Sequence, residues 1–336
     1  MQSVTGVPVV DVSSEAPGPD SLSGDRAGTG RMGDRIFGGA ATGAGLIVIA
    51  LVTLIGVFLV SQAIPALAKN EANFFTSTEW SVSGDHPRFG IARLFTVTVL
   101  SSLMALCLAV PVGMAVALFI TNYAPKWLAR PAASTIDLLA AVPSIVFGLW
   151  GLRVFGPHTG ALQDFFRDNL GWFPLFKKTS VGSFTTIFLA GIVLAIMILP
   201  IITALSREVF AQTPSSHKEG ALALGATKWE MIRTAVLPFG KPGAISAAML
   251  GLGRALGETV AVMILVSSLA PGSDLTVSLM DGGETFASKI ALGAGEFDSP
   301  QKTGAYIAAG LVLFILTFIV NAIARMVIER RKAFSE

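Results

Sequence analysis

Polarity along this chain changes in long blocks rather than from residue to residue. Read from one Asp, Glu, Lys or Arg to the next, four stretches hold none of these: Ile36–Ala68, Leu94–Pro125, Thr179–Ser206 and Thr303–Ala324. Each can supply the ~20 residues that cross a bilayer as a helix. Two further blocks are interrupted. Pro131–Leu152 contains Asp137 near its start, and Pro242–Ser273 contains Arg254 and Glu258 well inside. The pattern predicts an all-α polytopic membrane protein of six spans. Pro111, Pro143 and Pro200 fall within spans, where each removes a backbone donor and predicts a kink. No internal repeat is evident, which argues against a carrier built from duplicated halves.

Composition agrees with lipid as the solvent. Of 336 residues, 52% are hydrophobic and 14% charged, against about 45–50% and about 25% in soluble domains. A net charge of +2, with no basic patch interleaved with aromatics, argues against nucleic acid as a partner. Cys107, the one cysteine, sits inside an apolar block, so no internal disulfide or cysteine-based zinc site is expected. Residues 1–35 are rich in Ser, Gly, Pro and Asp and read as a disordered tail, not a signal peptide.

Six spans make the connections alternate. The tail, the loop Lys126–Arg130, the loop Arg207–Lys241 and the segment from Arg325 then share one face. Leaving out the tail, that face carries 11 Lys or Arg in 52 residues, against 9 in 80 in the opposite loops. The positive-inside rule makes it the cytoplasmic face, with both termini inside and residues 326–336 a basic cytoplasmic end. Trp80, Trp127 and Trp172 lie near expected span ends, where aromatic rings favour the interface. Asp137 reads as a solvated helix-start residue. The outer stretches Asp164–Lys178 and Asp281–Lys302 mix both charges and suit short amphipathic helices.

The loop from Ser216 to Pro238 reads as two short helices. Ser216 with Glu219 fits a capping box, Gly225 can take the left-handed conformation that ends a helix, and Thr227 with Glu230 fits a second box. Pro238 is expected to stop the second helix. A helix of two turns carrying Ala221, Leu222, Ala223 and Leu224 is marginal in water and needs a surface, either the protein's own helix ends or another protein.

Beyond this loop comes Gly251-Leu-Gly253-Arg254-Ala-Leu-Gly257-Glu258-Thr259. The spacing does not fit a dinucleotide loop, and Gly253 with Gly257 reads instead as a small-x-x-x-small packing face. Arg254 and Glu258 stand one helical turn apart, so a helix would let them meet. A guanidinium in hydrocarbon costs about 2.5–3.5 kcal/mol on insertion scales, so Arg254 should face a partner or water. The bland reading is a buried ion pair that holds helices together. The functional one is a receptor for an oxyanion, whose geometry the planar guanidinium fork matches, with Glu258 holding Arg254 when the anion is absent.

Two resemblances sharpen these expectations. The frame Glu219-x-Ala221, Gly225 and Leu237-Pro238 resembles the cytoplasmic loop of bacterial ABC importer permeases, with Gly220 and Ala235 departing from the usual residues. The Arg254 segment, the run Ala140-Ala-Val-Pro-Ser-Ile-Val-Phe-Gly-Leu-Trp-Gly151 and the span layout are similar to the PstC-type permeases of phosphate-specific importers. The resemblance covers the chain from the first span to Arg325. It implies type I importer permease architecture, with a first helix over 36–68 and a five-helix core over 94–325 that contains the coupling loop 207–241. It also implies Arg254 and Glu258 on the substrate path, and Glu219, Ala221, Gly225, Leu237 and Pro238 as residues coupling to an ATPase. The implied setting is the bacterial cytoplasmic membrane, and the implied partners are a PstA-like second permease, two copies of the ATPase and an external phosphate-binding protein. No cofactor is expected on this chain. ATP and magnesium would bind the ATPase, in keeping with the lack of any G-x-x-x-x-G-K-[ST] sequence here. Importers of molybdate or sulfate, the PstA-type sister subunit, an ATP-independent carrier and a membrane scaffold remain the alternatives.

Overall fold

A computed structural model describes residues 30–332 except 178, 180, 271 and 272. Helix α1 spans Gly30–Lys69. A two-stranded antiparallel ribbon follows, β1 (Trp80–Ser81) with β2 (Arg88–Phe89), in which Trp80 lies opposite Phe89. Then come α2 (Ala92–Leu118), α3 (Lys126–Ala140), α4 (Ser144–Trp150), α5 (Gly156–Asn169), α6 (Ile187–Ala211), α7 (Ser215–Ala223), α8 (Lys228–Met231), α9 (Leu237–Leu256), α10 (Val260–Leu265), α11 (Phe286–Leu292) and α12 (Pro300–Lys332). Single π-helical turns extend α2 over Phe119–Tyr123, join α4 to α5 over Gly151–Phe155 and join α8 to α9 over Ile232–Val236.

The described residues fall into two units, divided between Ile55 and Gly56. In the first, residues 30–55 are helical, and Leu46, Ile47 and Val48 are exposed, as expected of a helix whose solvent is hydrocarbon. The helix takes in residues 30–35, which the sequence assigns to the tail. Residues 1–29 of that tail lie outside the described residues.

In the second unit α6 is the central helix, and most of its apolar stretch is buried. Leu189, Val193, Leu194 and Ile198 of α6 pack with Val97, Ala105 and Ala109 of α2 and with Ala261 and Leu265 of α10. Small residues let the backbones approach. A methyl group on Gly191 would meet Met104 Sδ at 2.6 Å, and one on Gly113 would meet Ile202 Cγ2 at 3.1 Å. The start of α6 is capped by chain rather than by its own side chains. Ile187 and Phe188 donate their N–H groups to the carbonyls of Asp281 (2.9 Å) and Leu279 (2.7 Å), on the extended stretch between α10 and α11. Phe89, Ala66, Ala305 and Tyr306 form a smaller cluster that seats the β-ribbon on α12.

Five described helical stretches are long and apolar enough to cross a membrane: 32–69, 92–123, 187–211, 228–256 and 300–326. A sixth arises if the bent pair α3 and α4–α5 crosses as one broken span. The third span carries the kink expected at Pro143, and it is a sharp one. Its halves meet at 92°, with Pro143 in extended conformation as the N-cap of α4, because a residue with no N–H to donate is tolerated best at a helix start. The fifth span is displaced from the expected Pro242–Ser273. Helix runs unbroken from Lys228 to Leu256 and stops just after Arg254. Pro238 does not end it. The preceding π turn, in which the Leu237 N–H reaches Ile232 O, admits Pro238 at the first turn of α9. Asp137 lies in the last turn of α3 rather than at a helix start and pairs with Arg207 of α6 at 3.6 Å, and Cys107, inside its apolar block, is exposed on α2. Trp127 and Trp172 are both exposed, the latter in the turn after α5.

Candidate functional site

At one end of the second unit, α7 stands between α6 and α8. Its N-cap is Pro214, not Ser216, and makes no side-chain cap bond. The helix begins at Ser215, so Ser216 lies inside the first turn and the expected box with Glu219 does not form. The C-terminal end follows the expectation. Gly225 has φ +85°, its N–H reaches Leu222 O at 3.0 Å and the Ala226 N–H reaches Ala221 O at 3.2 Å. These are the paired bonds of a Schellman ending. The Thr227–Glu230 box is complete: the Thr227 N–H donates to Glu230 Oε2 at 2.8 Å and the Glu230 N–H to Thr227 Oγ1 at 3.3 Å.

That box does not open a second free helix. It opens the long helix containing α9, so α7 alone stands apart. Ala221 and Leu237 pack on the buried cluster of Phe210, Met231, Ile232 and Val236, which answers part of the need for a surface. The rest stays bare. Leu224 is 91% exposed and Leu222 45%, and Trp229, Glu219 and Pro238 are exposed as well.

The second feature is the break after α9. Gly257 caps the helix, its N–H reaching Gly253 O at 3.3 Å, and α10 starts three residues later. Glu258 is only 9% exposed. Its Oε1 accepts the Ala261 N–H at 3.1 Å, placing the carboxylate at the positive end of α10. Arg254 and Glu258 are therefore not on one helical turn, and no ion pair among the described residues joins them. The expected pairing is replaced by a helix cap.

Arg254 is half-buried, and its Nε is buried with no hydrogen-bond partner. It lines a cleft of ≈ 470 Å³ with Ile201, Met249, Leu250, Gly253 and Asn321. Gly253 and Gly257 are not the close-packing face. A methyl on Gly253 would meet nothing within 4 Å, whereas one on Gly251 would meet Ile202 Cδ1 at 2.9 Å. Gly240 and Gly243 make the other close approaches of α9, to Phe210 and Val209 of α6. Asn321 escaped notice in the sequence, although it is an amide in the otherwise strongly apolar run Thr303–Ala324.

Residues 109–333 match the model of a family described as "Binding-protein-dependent transport system inner membrane component". Fold and match together define an integral-membrane transport permease. The chain is 56% identical over 301 residues to the phosphate transport system permease protein PstC 2 of Mycobacterium tuberculosis, covering 88% of this chain and 92% of that one. It is 55% identical over 300 residues to PstC of Mycobacterium leprae (88% and 93% covered). With PstC of Xylella fastidiosa strain 9a5c it shares 39% over 297 residues (85% and 89% covered). The chain belongs to this PstC family of binding-protein-dependent permeases. Among solved structures, the inward-facing MetNI methionine ABC transporter matches with TM-score 0.50 at 15% identity over 72% of this chain and 95% of that one. At that identity the likeness speaks for the fold alone.

Proposed function

We propose that this chain is the permease subunit of an ATP-driven importer of inorganic phosphate, set in the bacterial cytoplasmic membrane with both termini inside. The observation that carries this reading is Arg254: a permanently charged fork on a membrane-crossing helix, open to a cleft, with no carboxylate against it. An unpaired guanidinium in such a place needs an anion or water to justify its insertion cost. The printed names of the PstC relatives supply phosphate as the anion.

In this reading Arg254 receives phosphate on the path, and Glu258 holds the α9–α10 break that presents it. The loop carrying Glu219, Ala221 and Gly225 docks on the ATPase by the bare side of α7, Ala221 seating that helix on the Phe210 cluster, while Leu237 and Pro238 carry its motion into α9. The chain itself has no cofactor and hydrolyses nothing. ATP and magnesium sit on the ATPase, present in two copies, and a PstA-like permease and an external phosphate-binding protein complete the importer. Support comes from the bare Leu222–Leu224 surface, which a partner would cover, and from the unbroken helix Lys228–Leu256, whose start α7 packs on through Ala221 and which carries Arg254.

The test is phosphate uptake by the assembled importer carrying Arg254→Gln. Loss of a charge-assisted contact predicts uptake slower by about tenfold or more with assembly intact. An assembled Arg254→Gln importer with wild-type uptake would remove Arg254 from the path.

A further inference from the structure

The Arg254 cleft does not end at Arg254. A second cleft, of ≈ 570 Å³, is lined by Ser246, Met249, Leu250, Asn321, Arg325 and Glu329, among others. Met249, Leu250 and Asn321 line both. The two clefts are therefore neighbouring stretches of one groove between α9 and α12. Moving from Arg254 to Ser246 on α9 corresponds to moving from Asn321 to Arg325 and Glu329 on α12, so the helices run antiparallel along it. Eight residues separate Arg254 from Ser246, about 12 Å of helix, and Arg325 lies one turn beyond Asn321.

The polar groups along this groove are unusual for their setting. The Thr317 hydroxyl, also on α12, is spent on its own helix, donating to Phe314 O at 2.9 Å. Asn321 is exposed into the groove, and no hydrogen bond or ion pair among the described residues engages its amide or the Arg325 guanidinium. An amide without a partner on a membrane helix is costly unless it faces a partner helix or a wet path. Beside it sits Arg254 with its unsatisfied Nε. From Arg254 through Asn321 to Arg325 the side chains offer donors, while the Ser246 hydroxyl, like that of Thr317, is spent on its own helix, donating to Pro242 O at 3.1 Å. The first carboxylate is Glu329 at the far end, one turn past Arg325.

We propose that the α9–α12 groove is the inward exit track for the transported oxyanion, with Asn321 as the relay between Arg254 and Arg325. The inference rests on the phosphate-import reading and adds to it where the anion goes after Arg254. A neutral amide suits that place. Two arginines in contact with one phosphate would hold it, whereas an amide spaced between them binds weakly enough to pass it on, the requirement for any conducting path. Glu329 at the mouth discourages the anion from resting against Arg325. Gly253 contributes by absence of a side chain, since nothing lies within 4 Å of where its methyl would be.

The experiment uses the complete importer in proteoliposomes with its external binding protein, comparing Asn321→Leu and Arg254→Gln with wild type. Asn321→Leu is expected to assemble and to keep ATPase activity stimulated by the binding protein, while phosphate uptake falls by about tenfold. A second measurement places Cys at position 321 (Asn321→Cys in a Cys107→Ala chain) and follows labelling by a charged, water-soluble thiol reagent. Labelling is expected, and inorganic phosphate should slow it. Wild-type uptake by Asn321→Leu alongside a defective Arg254→Gln overturns the track and leaves the import reading standing. Wild-type uptake by Arg254→Gln removes Arg254 from the path and overturns the track with it. An Asn321→Leu importer that fails to assemble, with an Asn321→Cys chain that resists labelling, makes Asn321 a helix–helix contact and also overturns the track.

Discussion

One glycine-to-alanine change on α9 should destabilise the protein, while the same change further along the helix should not. At Gly240 an added methyl would lie 2.4 Å from Phe210 Cδ1 and 2.6 Å from Cε1. Phe210 is fully buried among Met231, Ile232 and Val236, so its ring has nowhere to turn. Forcing a methyl into such packing costs about 1–3 kcal/mol, set against about 1 kcal/mol gained from replacing Gly by Ala in a helix. At Gly253 the gain stands alone, because the methyl would enter the cleft and touch nothing. The helix-propensity gain is common to both variants and cancels. The difference in stability between Gly240→Ala and Gly253→Ala is then the packing cost itself, about 1–3 kcal/mol. Thermal unfolding of the purified protein in one detergent, both variants side by side, should show Gly240→Ala melting a few degrees below Gly253→Ala. Equal melting, or Gly253→Ala the lower, would refute both the close α6–α9 approach at Gly240 and the openness of the cleft at Gly253.

Two further outcomes follow from the ends of the helices. Leu224→Asp, at a side chain that touches almost nothing, should leave melting within about 0.5 kcal/mol of wild type yet weaken co-purification of the ATPase, as a pull-down of the importer would show; undiminished recovery would take Leu224 out of the docking face. Glu258→Ala removes the acceptor for the Ala261 N–H and should cost about 1 kcal/mol, read as faster amide hydrogen exchange across Val260–Leu265. Glu258→Gln, which keeps a carbonyl oxygen in place, should lie between Glu258→Ala and wild type.

The parts legible in the sequence are those set by local chemistry. Blocks free of charge long enough to cross a bilayer could only be helices, because hydrocarbon offers no partner to backbone N–H and C=O groups. The Gly225 ending and the Thr227–Glu230 box were readable because each is completed within a few residues. So was the exceptional status of Arg254, since the cost of a guanidinium depends on the surrounding solvent and not on any one neighbour.

What failed were inferences that needed to know where a helix stops. Spacing placed Arg254 and Glu258 on one turn, but Gly257 ends α9 between them and the Glu258 carboxylate turns to α10. Pro238 looked like a terminator because the rule for proline considers only the regular i→i−4 ladder, and the π turn at Ile232–Val236 offers another register. Which glycines mediate close packing was likewise undecidable from a G-x-x-x-G count, since Gly240, Gly243 and Gly251 do so only because α6 presents Phe210, Val209 and Ile202 to them. By itself, then, the sequence determined membrane class, helix content, the capped start and end around Gly225 and the presence of a charge that must be used. A kink at Pro143 was legible too, though not its size of 92°. The break at Gly257 and the cleft that Arg254 and Asn321 line together were decided by tertiary structure, because spacing along the chain does not tell where a helix stops or which distant helix lies beside it.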